Sequence, residues 1–184
     1  MHVALPKSRS GEKTPPGEQR LGFLAAGRDP SLGYVGGYLL TTARGRPPEF
    51  HYTTPIQQSA THRILYGAEL DPYIFVELIA ANLVRQSTIE PAFVITDQPF
   101  VLGQRPACSC PIICITPEAK GANDATGKEN SSQEMTAHPN HTQDIEALNL
   151  WMQQTTPGID LREPFARVWD ALREVSSADS KQAA

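Results

Sequence analysis

The chain has 184 residues, of which 40% are hydrophobic, enough for one well-cored domain and too few for two. Its formal net charge of -4 argues against a surface that holds nucleic acid or an acidic membrane, because concentrated Lys and Arg bind such partners. No apolar run has the length of a signal peptide or a membrane span, so we expect a cytoplasmic protein whose three cysteines are reduced thiols.

The N-terminal part of the chain predicts a mobile arm followed by a first strand. Residues 1–20 are polar, rich in Pro, Gly, Lys and Glu, and lack periodicity, so we expect a disordered arm. The short apolar run Leu21–Ala26 then predicts a strand, and residues 27–30 (GRDP) predict the loop that ends it. We expect a single domain over residues 21–175.

A β-hairpin is the clearest local pattern. Tyr38–Leu40 and Phe50–Thr53 are rich in strand formers, and Arg44-Gly45-Arg46 supplies the flexible glycine of a tight reversal. Pro47 and Pro48 cannot donate ladder hydrogen bonds, so the second strand should begin after them or lie at a sheet edge.

The best helix pattern follows the hairpin. From Glu69 to Gln86, apolar residues recur every 3.6 residues and leave a wide apolar face, which favours packing on a sheet. Buried strands are predicted by the apolar, β-branched runs Ala92–Thr96 and Pro111–Thr116. The other predicted elements are a helical turn at 60–66, a turn or short helix at 100–104, a disordered polar insertion at about 118–142, helices at about 144–154 and 163–175, and a frayed tail at 176–184.

The predicted element order is strand, strand, strand, helix, strand, strand, helix, helix, in one α/β domain with a mixed sheet. This order resembles the ribonuclease H-like topology, in which three antiparallel strands precede alternating helices and strands. For a nuclease of this kind, the resemblance implies carboxylates around two metal ions, with one acid on the first strand, another at the end of the fourth, and more nearby.

The acidic residues fit that requirement only in part. Asp97 stands at the end of the fourth predicted strand and Glu77 lies on the helix, but Leu21–Ala26 contains no acid. Asp29 comes later, in the predicted loop. Because Asp is common where strands end, Asp97 is better explained as a strand terminator than as a catalytic group.

Glu49 and His51 form a second candidate pair for acid-base chemistry. Strand alternation places them on one face, where a carboxylate can raise the pKa of an imidazole. Such polar pairs are also ordinary on half-solvated hairpins, and no nucleophile accompanies this one.

Arginines at the hairpin tip are the candidate anion site. Arg44 and Arg46 could hold phosphate or carboxylate, with Arg28 and Arg63 as neighbours if the fold brings them close.

A zinc ion could link the two ends of the polar insertion through Cys108, Cys110, His138 and His141. The single residue between the cysteines is shorter than zinc spacing usually requires, so we predict that no zinc is bound.

No complete catalytic or cofactor signature is present, so the leading hypothesis is a non-catalytic interaction or scaffold protein with a protein partner and no cofactor. One alternative is a divalent-metal-dependent enzyme on phosphodiester or phosphate substrates, using Asp97, Asp29 and Glu49; the other is a small zinc-binding module. Neither a membrane nor nucleic acid is an expected partner. The sequence indicates no ligand and no oligomeric state.

Overall fold

A six-stranded mixed sheet forms the centre of the computed structural model, which describes residues 20–116, 134–155 and 159–182. The strand order is β3-β2-β1-β4-β5-β6; β1 to β3 are antiparallel, β4 and β5 continue parallel to β1, and β6 is antiparallel to β5. The strands are β1 (Arg20–Asp29), β2 (Gly33–Thr42), β3 (Glu49–Tyr52), β4 (Phe93–Thr96), β5 (Ile112–Thr116) and β6 (Glu134–Ala137). The predicted α/β fold, with a mixed sheet that begins with three antiparallel strands, is confirmed.

Helices cover both faces of this sheet. The long helix α2 (70–86) contains α-helical Leu70–Pro72, π-helical Tyr73–Ala80 and α-helical Ala81–Gln86. The other helices are α1 (Ala60–Tyr66), α3 (Gln143–Thr155), α4 (Glu163–Gln182) and the 3-10 segments Gly67–Glu69, Pro99–Ala107 and Pro139–His141. Ser59 caps α1 by accepting a hydrogen bond from the His62 backbone, which satisfies a donor that the helix start leaves free.

Side-chain alternation along the central strands divides the core into two layers. On one face, Leu24, Tyr38 and Leu40 pack with α2; on the other, Phe23 and Leu39 pack with α3 and α4. β1 therefore has buried residues on both faces, as its nearly continuous apolar sequence predicts.

Sheet and α2 approach closely at Gly36 in β2. A β-carbon there would lie 2.3 Å from Ile79 Cγ2 and 3.3 Å from the Ala25 carbonyl oxygen. Ile79 is fully buried, so neither neighbour can easily give way. The absence of a side chain at Gly36 thus sets the spacing between the two layers.

Three sequence-based boundaries were wrong. β1 continues through Asp29, so residues 27–29 belong to the strand and not to a loop, because they pair with residues 33–35 of β2. The predicted disordered insertion is ordered from Glu134 onward, where β6 pairs with β5, and the remainder of it up to residue 133 lies outside the described residues. α4 continues to Gln182, so residues 176–182 are helical where a frayed tail was predicted.

Two other predictions have a simpler outcome. The hairpin is confirmed, with β3 beginning directly after Pro48 and lying at the sheet edge. The predicted N-terminal arm, apart from Arg20, lies outside the described residues. Across the ranges the structure describes, no helix combines the length and the apolar character that a membrane crossing requires.

Candidate functional site

The carboxyl ends of β1 and β4 meet at one end of the sheet. β1 has antiparallel β2 on one side and parallel β4 on the other, so the chain connections diverge from this position. In open α/β sheets, ligands bind outside the carboxyl ends of the strands at such a switch point. Functional side chains are therefore expected at this end of the sheet.

Asp97 lies there, directly after β4, and both of its carboxylate oxygens are engaged. Oδ1 accepts a hydrogen bond from the Ala26 backbone N–H at 3.1 Å, and Oδ2 accepts one from Trp169 Nε1 at 2.8 Å. Burial raises the pKa of Asp97 above its ordinary value, although the bonds from Trp169 and Ala26 act in the opposite direction. The carboxylate joins β1, β4 and α4 at this point.

Gly27 makes this arrangement sterically feasible. A β-carbon at Gly27 would lie 2.8 Å from Trp169 Cη2, so the indole reaches across β1 only because this position has no side chain. Trp169 is half-buried and covers Asp97 from the side of α4. No local sequence pattern indicates this hydrogen bond, because it joins two residues that are distant in the chain.

Replacing Trp169 with phenylalanine should raise the pKa of Asp97 further, because it removes a donor that favours the ionised form. Because the pKa of Asp97 is raised in the folded state, protonation of Asp97 stabilises the fold. This contribution to the free energy of unfolding is fully present below the unfolded-state pKa and is lost as the pH rises through the folded-state pKa. Carboxyl ¹³C NMR titration of both proteins measures the shift. An unchanged or lowered pKa in the variant would contradict the assigned bond.

A groove of about 530 Å³ opens at the turn between β1 and β2. It is lined by Arg28, Asp29, Pro30, Gly33, Gln57, Gln58 and Arg63. The Arg28 guanidinium stands 5.6 Å from the centre of the Tyr34 ring, and the Gln57 side chain is held by donation to the Leu32 carbonyl at 2.7 Å. In the described part of the chain, neither Arg28 nor Arg63 has a carboxylate partner within salt-bridge distance. We call this the Arg28/Arg63 groove.

Exposed apolar side chains continue the same surface on α1. Ile64 and Leu65, which follow Arg63 directly, are 81% and 74% exposed. Tyr66 stacks on Tyr73 with ring centres 5.0 Å apart and keeps 40% of its surface exposed. Phe100, which follows Asp97 in the chain, is 44% exposed.

Asp29, a candidate metal ligand, serves the turn between β1 and β2 instead. Its Oδ1 accepts from Ser31 Oγ at 2.6 Å, from the Ser31 backbone at 2.8 Å and from the Leu32 backbone at 3.0 Å. These bonds, those from Ser31 foremost, lower the pKa of Asp29 and keep it ionised.

Glu49 and His51 do come together, but at the opposite end of the sheet. Glu49 pairs with Leu40, which in turn pairs with Gly22 near the start of β1. His51 Nε2 lies 3.2 Å from Glu49 Oε2, and the same carboxylate accepts bonds from Ser87 and Thr88. Burial raises the pKa of Glu49, but the bonds from Thr88, Ser87 and His51 outweigh it, so the pKa is lowered overall. Glu49 therefore ties β3 to the end of α2.

The three carboxylates Asp29, Glu49 and Asp97 thus do not converge. Asp29 closes a turn, Glu49 lies at the far end of the sheet, and Asp97 is bonded within it. In the described ranges, no group of three or more His, Cys, Asp or Glu side chains is arranged to hold a metal ion. The alternative of a metal-dependent phosphodiester enzyme loses the geometry on which it rested.

The four arginines do not form one patch. Arg44 and Arg46 are exposed at the β2–β3 turn, which lies beside the amino-terminal end of β1, because Thr42 pairs with Arg20. Arg28 and Arg63 lie in the groove at the other end. The extension of β1 through Asp29 carries Arg28 there, which the predicted loop did not indicate.

The zinc candidates form two separate pairs. Cys108 and Cys110 have their sulfur atoms 3.9 Å apart, and the rings of His138 and His141 are 5.6 Å apart. His138 Nδ1 accepts a hydrogen bond from the Asn140 backbone, so it is used within its own turn.

No protein-family model and no curated protein matches the chain. A search of solved structures matches LC11-RNase H1 in complex with an RNA/DNA hybrid, at 12% identity and a TM-score of 0.31 over 83% of this chain and 92% of that one. Contrary to our expectation that nucleic acid is an unlikely partner, the matched protein is in complex with an RNA/DNA hybrid. A negative net charge describes the whole chain and does not describe a local groove.

Proposed function

We propose that the chain is a non-catalytic binding domain whose ligand is a single-stranded nucleic acid, held through its phosphates in the Arg28/Arg63 groove. The observation that carries this proposal is that Arg28 on β1 and Arg63 on α1 line one groove at the end of the sheet where β1 ends. A guanidinium group presents planar donors that match phosphate oxygens.

The polar lining of the groove supports an anionic ligand. Gln57 and Gln58 add amide groups between the two arginines. Two carboxylates border this region, but each has a partner: Asp29 accepts bonds from its turn, and Asp71 Oδ1 lies 2.5 Å from the Tyr34 hydroxyl. The negative charges of Asp29 and Asp71 weaken the positive potential of the groove but form no ion pair with Arg28 or Arg63. We therefore expect binding of moderate affinity that weakens as the salt concentration rises.

Exposed rings at the same end of the sheet favour a single strand over a duplex. Single-stranded nucleic acid binds where a basic groove is flanked by aromatic faces on which bases stack. Tyr66 on α1 stacks on Tyr73 through one face and is 40% exposed, and Phe100 after β4 stacks on Phe75 and is 44% exposed, so each could offer its other face to a base. Each base that stacks on an aromatic residue contributes roughly 1–3 kcal/mol to binding.

The state of Asp97 supports the absence of catalysis. Phosphodiester hydrolysis by metal ions needs several carboxylates with oxygens free to coordinate, and both oxygens of Asp97 accept hydrogen bonds from the protein. Ala26, the β1 residue bonded to Asp97, contributes only its backbone.

Fluorescence anisotropy with a labelled single-stranded oligonucleotide tests the proposal. We expect binding at low salt, and we expect the double variant Arg28→Ala, Arg63→Ala to weaken it at least about tenfold and to flatten the dependence of log K on log salt by roughly 1–2. The matched control is Arg44→Ala, Arg46→Ala, which removes the same charge from the hairpin tip and should retain binding. Thermal melting of both variants excludes a folding defect.

Three outcomes would overturn the proposal. Lack of binding by the wild-type chain at low salt would remove the nucleic-acid ligand and leave the exposed α1 surface to a protein. Equal losses in the two double variants would show nonspecific attraction. Cleavage of the oligonucleotide with Mg²⁺ or Mn²⁺ that disappears in Asp97→Asn would show an enzyme.

A further inference from the structure

Cys108 and Cys110 form a thiol pair that the nucleic-acid groove does not use. They lie at the end of the 3-10 segment Pro99–Ala107, where the chain bends before β5. The Cys110 thiol donates toward Cys108 Sγ, and the sulfur atoms are 3.9 Å apart. A disulfide bond holds its sulfur atoms about 2 Å apart, so the two thiols must approach each other by roughly another 2 Å.

The two thiols differ in access. Cys108 is half-exposed, whereas Cys110 is only 7% exposed and belongs to the core layer that packs on α2. One sulfur can therefore meet a reagent from solution, while the other is held behind it. This is the arrangement that an attacking and a resolving cysteine require.

The pKa values of the two thiols also differ, and the more exposed thiol has the lower pKa. The hydrogen bond from Cys110 and the positive charge of Arg105 lower the pKa of Cys108 to about 7, against the effect of burial. The pKa of Cys110 is raised, because its proton is engaged with Cys108 and because it is buried. At neutral pH, Cys108 is therefore partly in the thiolate form, whereas Cys110 keeps its proton.

Arg105 is fixed in place for this role. Its Nε donates to Asp144 Oδ2 at 2.6 Å, and its Nη1 donates to the Cys108 carbonyl oxygen at 3.1 Å. The guanidinium therefore positions the Cys108 backbone and supplies charge to its thiolate. Arg105 is a positioning residue for the pair.

We propose that Cys108 and Cys110 are a reversible dithiol–disulfide site that exchanges with small disulfides of the glutathione type. The Cys108 thiolate attacks one sulfur of the small disulfide, forms a mixed disulfide and releases one small thiolate, which takes the proton of Cys110. Cys110 then attacks Cys108 Sγ, forms the protein disulfide and expels the second small thiolate, which solvent protonates. Two cysteines are oxidised and one small disulfide is reduced to two thiols.

Mass spectrometry of the full chain in glutathione redox buffers tests this site. The wild-type chain should lose two hydrogens and two titratable thiols without retaining glutathione. Cys110→Ser should trap one glutathione on Cys108, and Cys108→Ser should form neither product. Cys114 provides an internal control: it is fully buried in β5 and burial raises its pKa to about 12, so Cys114→Ser should react like the wild type.

Alkylation rates give a second measurement that does not depend on disulfide formation. Cys108 should react with iodoacetamide at neutral pH at least ~100-fold faster than Cys114, in the wild-type chain and in Cys110→Ser. A disulfide that includes Cys114, a disulfide between two chains, or a Cys110→Ser variant that takes up no glutathione would overturn the proposal. These readouts involve no nucleic acid, so they are independent of the proposed binding function.

Discussion

Replacing Asp144 with alanine is expected to lower the free energy of unfolding by about 3–5 kcal/mol. Asp144 begins α3 and is 3% exposed, and its two oxygens face Arg105 Nε at 2.6 Å and Nη2 at 3.3 Å. Without this carboxylate, a largely buried guanidinium loses its only ionic partner within the described residues. The loss should be measured by urea unfolding.

Asp170→Ala is the matched control. Asp170 meets Arg173 Nη1 at the same 2.6 Å, but these two side chains are 74% and 71% exposed, so solvent screens the pair. Its removal should cost roughly 0–1 kcal/mol. Equal losses in the two variants would show that burial does not govern the contribution of the Arg105–Asp144 pair.

Gly36→Ala should be the second strongly destabilising change, with a cost of about 1–3 kcal/mol or more from overpacking. The new methyl group would overlap Ile79 Cγ2 at 2.3 Å, in a place where both β2 and α2 are fully packed. Gly103→Ala is the control, because the nearest atom to its β-carbon, Val76 Cγ2, lies at 3.5 Å, an ordinary contact. Urea unfolding of both variants measures the difference.

A double variant separates overlap from a backbone effect at Gly36. Ile79→Ala alone should destabilise the protein by leaving a cavity. In the Gly36→Ala background it should cost less, because it also removes the overlapping methyl group. Strict additivity of the two changes would contradict steric overlap as the cause.

The central elements could be predicted because buried residues produce a continuous or periodic apolar pattern in their sequences. β4 and β5 are unbroken apolar runs, and the long helix repeats its apolar residues every 3.6 positions. β6 was missed because it is a four-residue edge strand in which only Ala137 is buried, so its sequence EMTA resembles the polar segment before it. Its order comes from pairing with β5, a tertiary contact.

The site could be predicted only where local sequence decides it. The position of Asp97 after a buried strand follows from the AFVIT pattern. Its bond to Trp169 and the meeting of Arg28 with Arg63 both join residues distant in sequence. Gly27 carried the one available signal, since a glycine within a strand marks a close approach by another group.

The pairing of β1 with both β2 and β4 also bears on how the chain folds. The ten residue pairs between β1 and β2 close through a turn of three residues, a local step with little loss of chain entropy. The parallel pairing of Leu21 with Phe93 closes a much longer loop, which contains β2, β3, α1 and all of α2. The pairing of β1 with β4 at the centre of the sheet therefore forms late. We infer that this pairing, rather than the pairing of β1 with β2, sets the folding rate.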